Sequence, residues 1–185
     1  MQVQYKEKRY TYADYCSWSD CERWELIDGA AYAMSPAPSW IHQAISGNLY
    51  VQLFRYLQGK PCKVFAAPFD VRLNADTEDD TVVQPDLVVI CDRSILSGTG
   101  CNGVPDMVVE ILSPFTAKHD RFLKFNIYQK AGVREYWIVD PDTKTVSVHV
   151  LKNGEYVTSA YGDSNTVPAR VLEGCEISLP DVFDI

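Results

Sequence analysis

Three short runs set the strongest constraint on how this chain can fold: Asp86-Leu87-Val88-Val89-Ile90, Asp106-Met107-Val108-Val109-Glu110-Ile111-Leu112 and Glu135-Tyr136-Trp137-Ile138-Val139-Asp140. Each is rich in β-branched residues and almost continuously apolar, the pattern of strands buried on two faces. A sheet covered on both sides needs a layer on each, which fits an α/β (α+β) domain. At 185 residues the chain has room for one such domain, spanning 1–185.

The remaining pattern fits around that sheet. Thr11 is placed to cap a short helix. Trp24-Glu25-Leu26-Ile27 and Ala30 to Met34 flank Asp28-Gly29, a favoured turn for a two-residue β-hairpin. Ile41, Ile45, Leu49, Leu53 and Leu57 recur every four residues, predicting a long amphipathic helix that stops near Gly59. Strands are expected at 63–66 and 69–73. An acidic loop from Asn74 to Asp80 and a Gly-rich loop from Ser97 to Gly103 separate the elements that follow. A helix is predicted over 116–131, ending at Gly132, and the tail alternates as a C-terminal antiparallel meander with a turn at Asn153-Gly154.

With 17 basic against 25 acidic residues, the net charge of -8 opposes long-range attraction to a polyanion. That charge could be local, because acidic metal ligands count toward it. The first residues lack a secretory pattern and no apolar run is long enough to span a bilayer, so a cytoplasmic protein without a membrane partner is expected. The six cysteines are irregularly spaced and read as reduced, structural thiols.

Carboxylates are the conspicuous exceptions within the buried runs. An ionised carboxylate in a dry site is costly unless paired or metal-bound, and Asp86 opens one such strand while Glu110 lies near the end of the next. Two carboxylates meeting from neighbouring strands make a hard-oxygen site suited to Mg2+, which keeps several waters and takes one or two protein carboxylates. A nearby lysine would orient a water or offset phosphate charge. The plainer alternatives are a turn role for Asp86 after Pro85 and an ion pair between Glu110 and a basic residue such as Arg134.

Gln84-Pro85-Asp86, Val109-Glu110-Ile111-Leu112-Ser113-Pro114, Asp120 with Lys124 and Tyr128, and the run from Gly132 to Pro141 occur in an order that resembles the Uma-two family of putative restriction endonucleases. That family is a branch of the PD-(D/E)xK nuclease-like superfamily. The resemblance extends through Trp24 to Gly29, Met34-Ser35-Pro36 and His42-Gln43, covering most of the chain from Tyr10 to Asp140. It implies a restriction-endonuclease-like core, with a mixed central β-sheet flanked by helices, and a Mg2+ site of Asp86 and Glu110, with Mn2+ able to substitute and Glu25 as a third acidic member. The superfamily lysine is replaced by Leu112, and Lys124 on the following helix is the candidate to reach the same point. Asp120, four residues earlier, is placed to orient it or bind its charge. His42, Gln43 and Gln84 are candidates for supporting or substrate-contacting roles.

These readings lead to a Mg2+-dependent endonuclease hydrolysing phosphodiester bonds of DNA, working as a possible homodimer. Leu112 and the acidic charge favour an alternative, a catalytically inactive nuclease-fold module that binds nucleic acid or protein. The charge also suits a small-molecule metallohydrolase using the same carboxylates.

Overall fold

The structure, a computed structural model, describes residues 8–18, 23–34, 37–113 and 120–185, without the side chains of residues 120 and 121. The main sheet forms around the three apolar runs, which become β6 (Leu87–Ile90), β9 (Met107–Ile111) and β10 (Glu135–Asp140). With β3 (Lys63–Ala66), β11 (Thr145–Lys152) and β12 (Glu155–Gly162) they form a six-stranded sheet in the order β12-β11-β10-β9-β6-β3. Strands β9 and β10 run parallel, so a crossover must join them. Its described part is a π-helical turn, Asp120–Lys124, leading directly into α3, Phe125–Ala131. The chain turns back at Gly132, whose φ of 93° suits a residue without a side chain.

Alternation along these strands builds two cores. Leu87, Val89, Met107, Val109, Trp137 and Val139 pack on one face with Ile45, Leu49, Leu53 and Leu57 of α2 (Trp40–Leu57). The hairpin β13 (Thr166–Ala169) and β14 (Cys175–Ser178), with the short α4 (Leu179–Val182), completes that layer. Val88, Ile90, Val108, Tyr136 and Ile138 face the other way, against Ile127 and Tyr128 of α3 and a second sheet.

That second sheet has the order β2-β1-β5-β4-β8-β7. Its strands are β1 (Trp24–Ile27), β2 (Ala30–Ala33), β4 (Asp70–Arg72), β5 (Val82–Val83), β7 (Leu96–Ser97) and β8 (Gly100–Asn102). The β1–β2 turn has positive φ at both Asp28 and Gly29, as the Asp-Gly pair predicts. The Thr11-capped helix is α1, Tyr12–Tyr15.

Four details depart from the sequence reading. The Gly-rich segment contributes β7 and β8 and is therefore part of a sheet; Gly100 lies against Asp70 so closely that a Cβ would sit 1.9 Å from the Asp70 carbonyl oxygen. Strand β5 went unseen because two residues carry no periodicity. The tail leaves the meander after β12 and builds its own hairpin and helix. Cys62 and Cys91 are disulfide-bonded, whereas all six thiols were expected to be reduced. The reason lies in register: Lys63 pairs with Ile90, so the next residues outward are cross-strand neighbours, with Cα atoms 3.8 Å apart.

Two buried polar groups tie the layers together. Glu135, fully buried, accepts from Trp137 Nε1 at 2.7 Å and from the Val171 amide at 2.8 Å, joining the central strand to the C-terminal layer. Burial pushes its carboxyl upward while these donors oppose the shift. His149 bonds Thr158 Oγ1 through Nδ1 at 2.7 Å and sits edge-on to Phe125, with burial pushing the imidazole down to about 4.

A histidine held below its ordinary 6.5 favours the neutral form in the native state, so the unfolded chain takes up the extra proton between those two values. The His149 contribution is fully present above pH 6.5, declines as pH falls and levels off below about 4. Urea denaturation across this window is expected to give a steeper pH dependence for the native chain than for His149→Phe.

Candidate functional site

The β6–β9 register brings the acidic residues together. Leu87 lies opposite Val109, and one step further sets Asp86 opposite Glu110. The Ile111 amide donates to Asp86 Oδ2 at 2.7 Å, fixing one oxygen of this carboxylate to the neighbouring strand. His42, near the start of α2, is buried and places Nε2 3.2 Å from the same oxygen.

Glu110 extends toward the second sheet, where Glu25 on β1 meets it across a single ammonium. Lys124 Nζ lies 2.9 Å from Glu110 Oε1 and 3.0 Å from Glu25 Oε1. All three residues are deeply buried, Glu25 with 5% exposure and Glu110 and Lys124 with 4% each. Desolvating such charges costs several kcal/mol per ion, so their proximity is what makes burial tolerable. Tyr128, one helical turn beyond Lys124, donates its hydroxyl to Glu110 Oε1 at 2.9 Å, and the Gln84 amide donates to Glu25 Oε1 at 2.9 Å. Burial, followed by the charges of Glu110 and Glu25, holds the Tyr128 phenol well above its ordinary value, so it remains a donor.

The ammonium beside Glu110 arrives from a helix, and Leu112 occupies the neighbouring position on the strand. Residues two apart on a strand share a face, so Leu112 takes the position beside Glu110 that the lysine of (D/E)xK would take. It is buried among Ile127, Tyr128 and other members of the second core. The π-helical turn ends at Lys124, and its side chain crosses to the carboxylates from there.

The other candidates separate. The Gln84 side chain is engaged away from the carboxylates, accepting from Arg23 and donating to Asp70 and the Tyr15 hydroxyl. Gln43 is exposed on α2. The Asp120 side chain lies outside the described residues. Arg134 pairs with Asp106 at 2.8 Å, and Glu110 takes Lys124 as its cation.

The sequence reading left three contributions out of the site. Tyr128 could have been found from its spacing of four from Lys124 on a helix. The amides of Gln84 and Ile111 carry no side-chain signal at all.

Among the described residues no group of three His, Cys, Asp or Glu side chains is gathered closely enough to hold a metal ion by itself. Asp86 and Glu110 nevertheless fit Mg2+ chemically, since that ion takes one or two carboxylates and fills its shell with water.

A buried carboxylate pair beside an ammonium is carried where the two sheets meet, and a solved structure shares this fold. A putative nuclease of the DUF820 family from Anabaena variabilis superposes with a TM-score of 0.76 at 20% identity, covering 94% of this chain and 97% of that one. An uncharacterised protein of Synechocystis is 28% identical over 163 residues, 86% of this chain and 84% of the relative. The family model described as putative restriction endonuclease, Uma2, matches residues 11–180, and the chain belongs to that family.

Removing the ammonium would leave two buried carboxylates sharing no cation. Lys124→Met is expected to cost about 3–5 kcal/mol of unfolding free energy, read by urea denaturation. Adding Glu25→Gln and Glu110→Gln to that variant should restore most of the loss. An unchanged single variant would show that the ammonium does not hold the layers together.

Proposed function

We propose that the chain is a Mg2+-dependent endonuclease hydrolysing phosphodiester bonds of DNA, with Mn2+ able to substitute. The observation that supports this most is the Lys124 ammonium, within 3.0 Å of both Glu25 and Glu110 and on the face where Leu112 stands in the strand. This is the lysine whose strand position has migrated to the following helix.

In this reading Asp86 and Glu110 hold the cation, and Glu25 completes the acidic shell. When bound, the cation supplies Lewis acidity at the phosphate and makes water a better nucleophile. Asp86 is aimed by the Ile111 amide and His42, and Glu110 by the Tyr128 hydroxyl. Outer groups of this kind fix the orientation of ligating side chains. Lys124 orients the attacking water or offsets charge on the phosphate. Gln43, exposed beside His42 on α2, is assigned to substrate contact, and Asp120 to support of Lys124.

A second reading, an inactive module that binds nucleic acid or protein, draws on the same ammonium. Lys124 already supplies a positive charge to the carboxylates. The two readings divide on Asp86→Ala. Loss of at least tenfold in Mg2+ affinity by calorimetry, with loss of plasmid and oligonucleotide cleavage, is expected for the endonuclease. Unchanged metal binding, with no cleavage by the folded native chain, would favour the module.

The homodimer belongs to this proposal, and β12 supports it. This strand closes one edge of the main sheet, spans eight residues, is largely exposed, and carries no charged side chain from Tyr156 to Gly162. Such an edge is a template for pairing with another strand, and antiparallel pairing with a second copy would satisfy it. Sedimentation is expected to give a dimer for the native chain and a monomer for Val157→Lys; identical masses would remove β12 as the interface. The single domain over 1–185 and the cytoplasmic setting also stay with the proposal. No helix among the described residues is long and apolar enough to cross a membrane.

A further inference from the structure

The short link Gln84-Pro85-Asp86 carries the chain from β5 of the second sheet to β6 of the main sheet, and the candidate site straddles that crossing. The Gln84 amide donates to Glu25 Oε1, the oxygen that also meets Lys124, while Asp86 docks its carboxylate on the Ile111 amide of β9. Pro85, buried between them, has a fixed φ and no N–H, so it adds little freedom of its own. The link is anchored on the second sheet by the Gln84 side chain, whose polar atoms are held from three directions. Its Oε1 accepts from Arg23, just ahead of β1, through Nε at 3.2 Å and Nη2 at 2.6 Å. Its Nε2 donates to Asp70 Oδ1 of β4 at 2.8 Å and to the Tyr15 hydroxyl of α1 at 3.1 Å. Tyr15 in turn donates to the same Asp70 oxygen at 3.1 Å, and Thr99 donates to the other at 3.2 Å. Burial, followed by the Asp70 charge, pushes the Tyr15 phenol well above its ordinary value, so it stays a donor.

We propose that Tyr15, Asp70 and Arg23 are positioning residues of the site, a cradle whose grip on the Gln84 carboxamide sets Asp86 against Glu25. This rests on the reading of Asp86, Glu110 and Glu25 as the acidic shell. The chemistry of the cradle demands a carboxamide at its centre. Asp70 needs a donor facing it and Arg23 needs an acceptor, and the two ends of one neutral amide group supply both. A carboxylate at position 84 would set a second negative oxygen against Asp70, and a cation there would meet Arg23. The grip is passed on through the backbone. Gln84 orients Glu25 with its own N–H, and Asp86 follows it after one conformationally restricted residue. The helix α1 and the strand β4 thereby help to build a site whose acids lie on β1, on β9 and on the link itself. Outer groups that orient ligating side chains change metal affinity by about 10- to 100-fold when they are removed.

Amide hydrogen exchange of the full chain reads the link without any metal. Tyr15→Phe removes only the hydroxyl, and Gln84→Met removes both polar ends at similar size. In each, exchange at the Gln84 and Ile111 amides is expected to quicken about fivefold or more, the net worth of one hydrogen bond. Amides within β10 and β11 should keep their native rates. Gln84→Glu should loosen the same two amides at least as much as Gln84→Met, although a carboxylate would pair more strongly with Arg23. Adding Asp70→Asn to Gln84→Glu exchanges carboxylate and carboxamide across the contact and should restore most of the native protection. Calorimetry with Mg2+ is expected to show about tenfold weaker binding by Tyr15→Phe and recovery in the exchanged pair. Native exchange at Gln84 and Ile111 in both Tyr15→Phe and Gln84→Met would overturn the cradle, as would an exchanged pair no better than Gln84→Glu. Equal acceleration in every strand would mark a general loss of stability and overturn it too. So would Mg2+ affinity that stays native in variants whose two amides have loosened. A native chain that binds no Mg2+, with selective loosening and rescue in the variants, would uphold the cradle and refute the metal site beneath the endonuclease reading.

Discussion

The ammonium of Lys124, buried between Glu25 and Glu110, is the interaction on which the arrangement of the site depends. Glu25 belongs to the second sheet, Glu110 to the main sheet and Lys124 to the crossover segment, so three separately built elements meet at one charge. Each ion would be costly alone in an interior of low dielectric, and together they are tolerable only at close range. The geometry is therefore narrowly specified. A shift of one layer against the other would separate charges that have no water to retreat to. Tyr128 and the Gln84 amide add donors to the same two carboxylates, which narrows their orientation further.

The main sheet makes such a site possible because its central strands are covered on both faces. Alternation sends Leu87, Val89, Met107 and Val109 toward α2, and Val88, Ile90 and Val108 toward α3 and the second sheet. The parallel β9–β10 contact requires a crossover beginning just where β9 ends, next to Glu110. The helix that carries Lys124 is thus returned over the carboxylate by the connectivity itself, with Gly132 closing the passage. A polar group at the end of β9 and another on the crossover are brought close by topology before any specific attraction acts between them.

Much of this was legible from particular residues. The apolar runs identified the buried strands, the four-residue recurrence identified α2, and Asp28-Gly29 identified the hairpin, because each is a periodic or stereochemical signal local to the chain. Asp86 and Glu110 stood out as carboxylates on strands where burial was expected, whereas Lys124 and Glu25 were marked by the family resemblance. What escaped depended on long-range register or on the backbone. Cys62 and Cys91 are 29 residues apart and become neighbours only because Lys63 pairs with Ile90. The short strands β5, β7 and β8 take their definition from their partners in the second sheet and not from their own pattern. The amides that aim Asp86 and Glu25 have no residue type to announce them.

Carrying the ammonium on the crossover makes its placement depend on packing between the layers. At the position of Leu112 an ammonium would have sat on the same strand as Glu110, so its distance from that carboxylate would be set by the pleat of β9 alone. From Lys124 the distance depends on how the crossover packs against the sheet, and Leu112, packed with Ile127 and Tyr128, belongs to that contact. Leu112 thereby supplies apolar surface to the contact that holds the helix in place. Leu112 and Lys124 are then two halves of one arrangement. A lysine at position 112 would put a second charge into the apolar contact that positions the first.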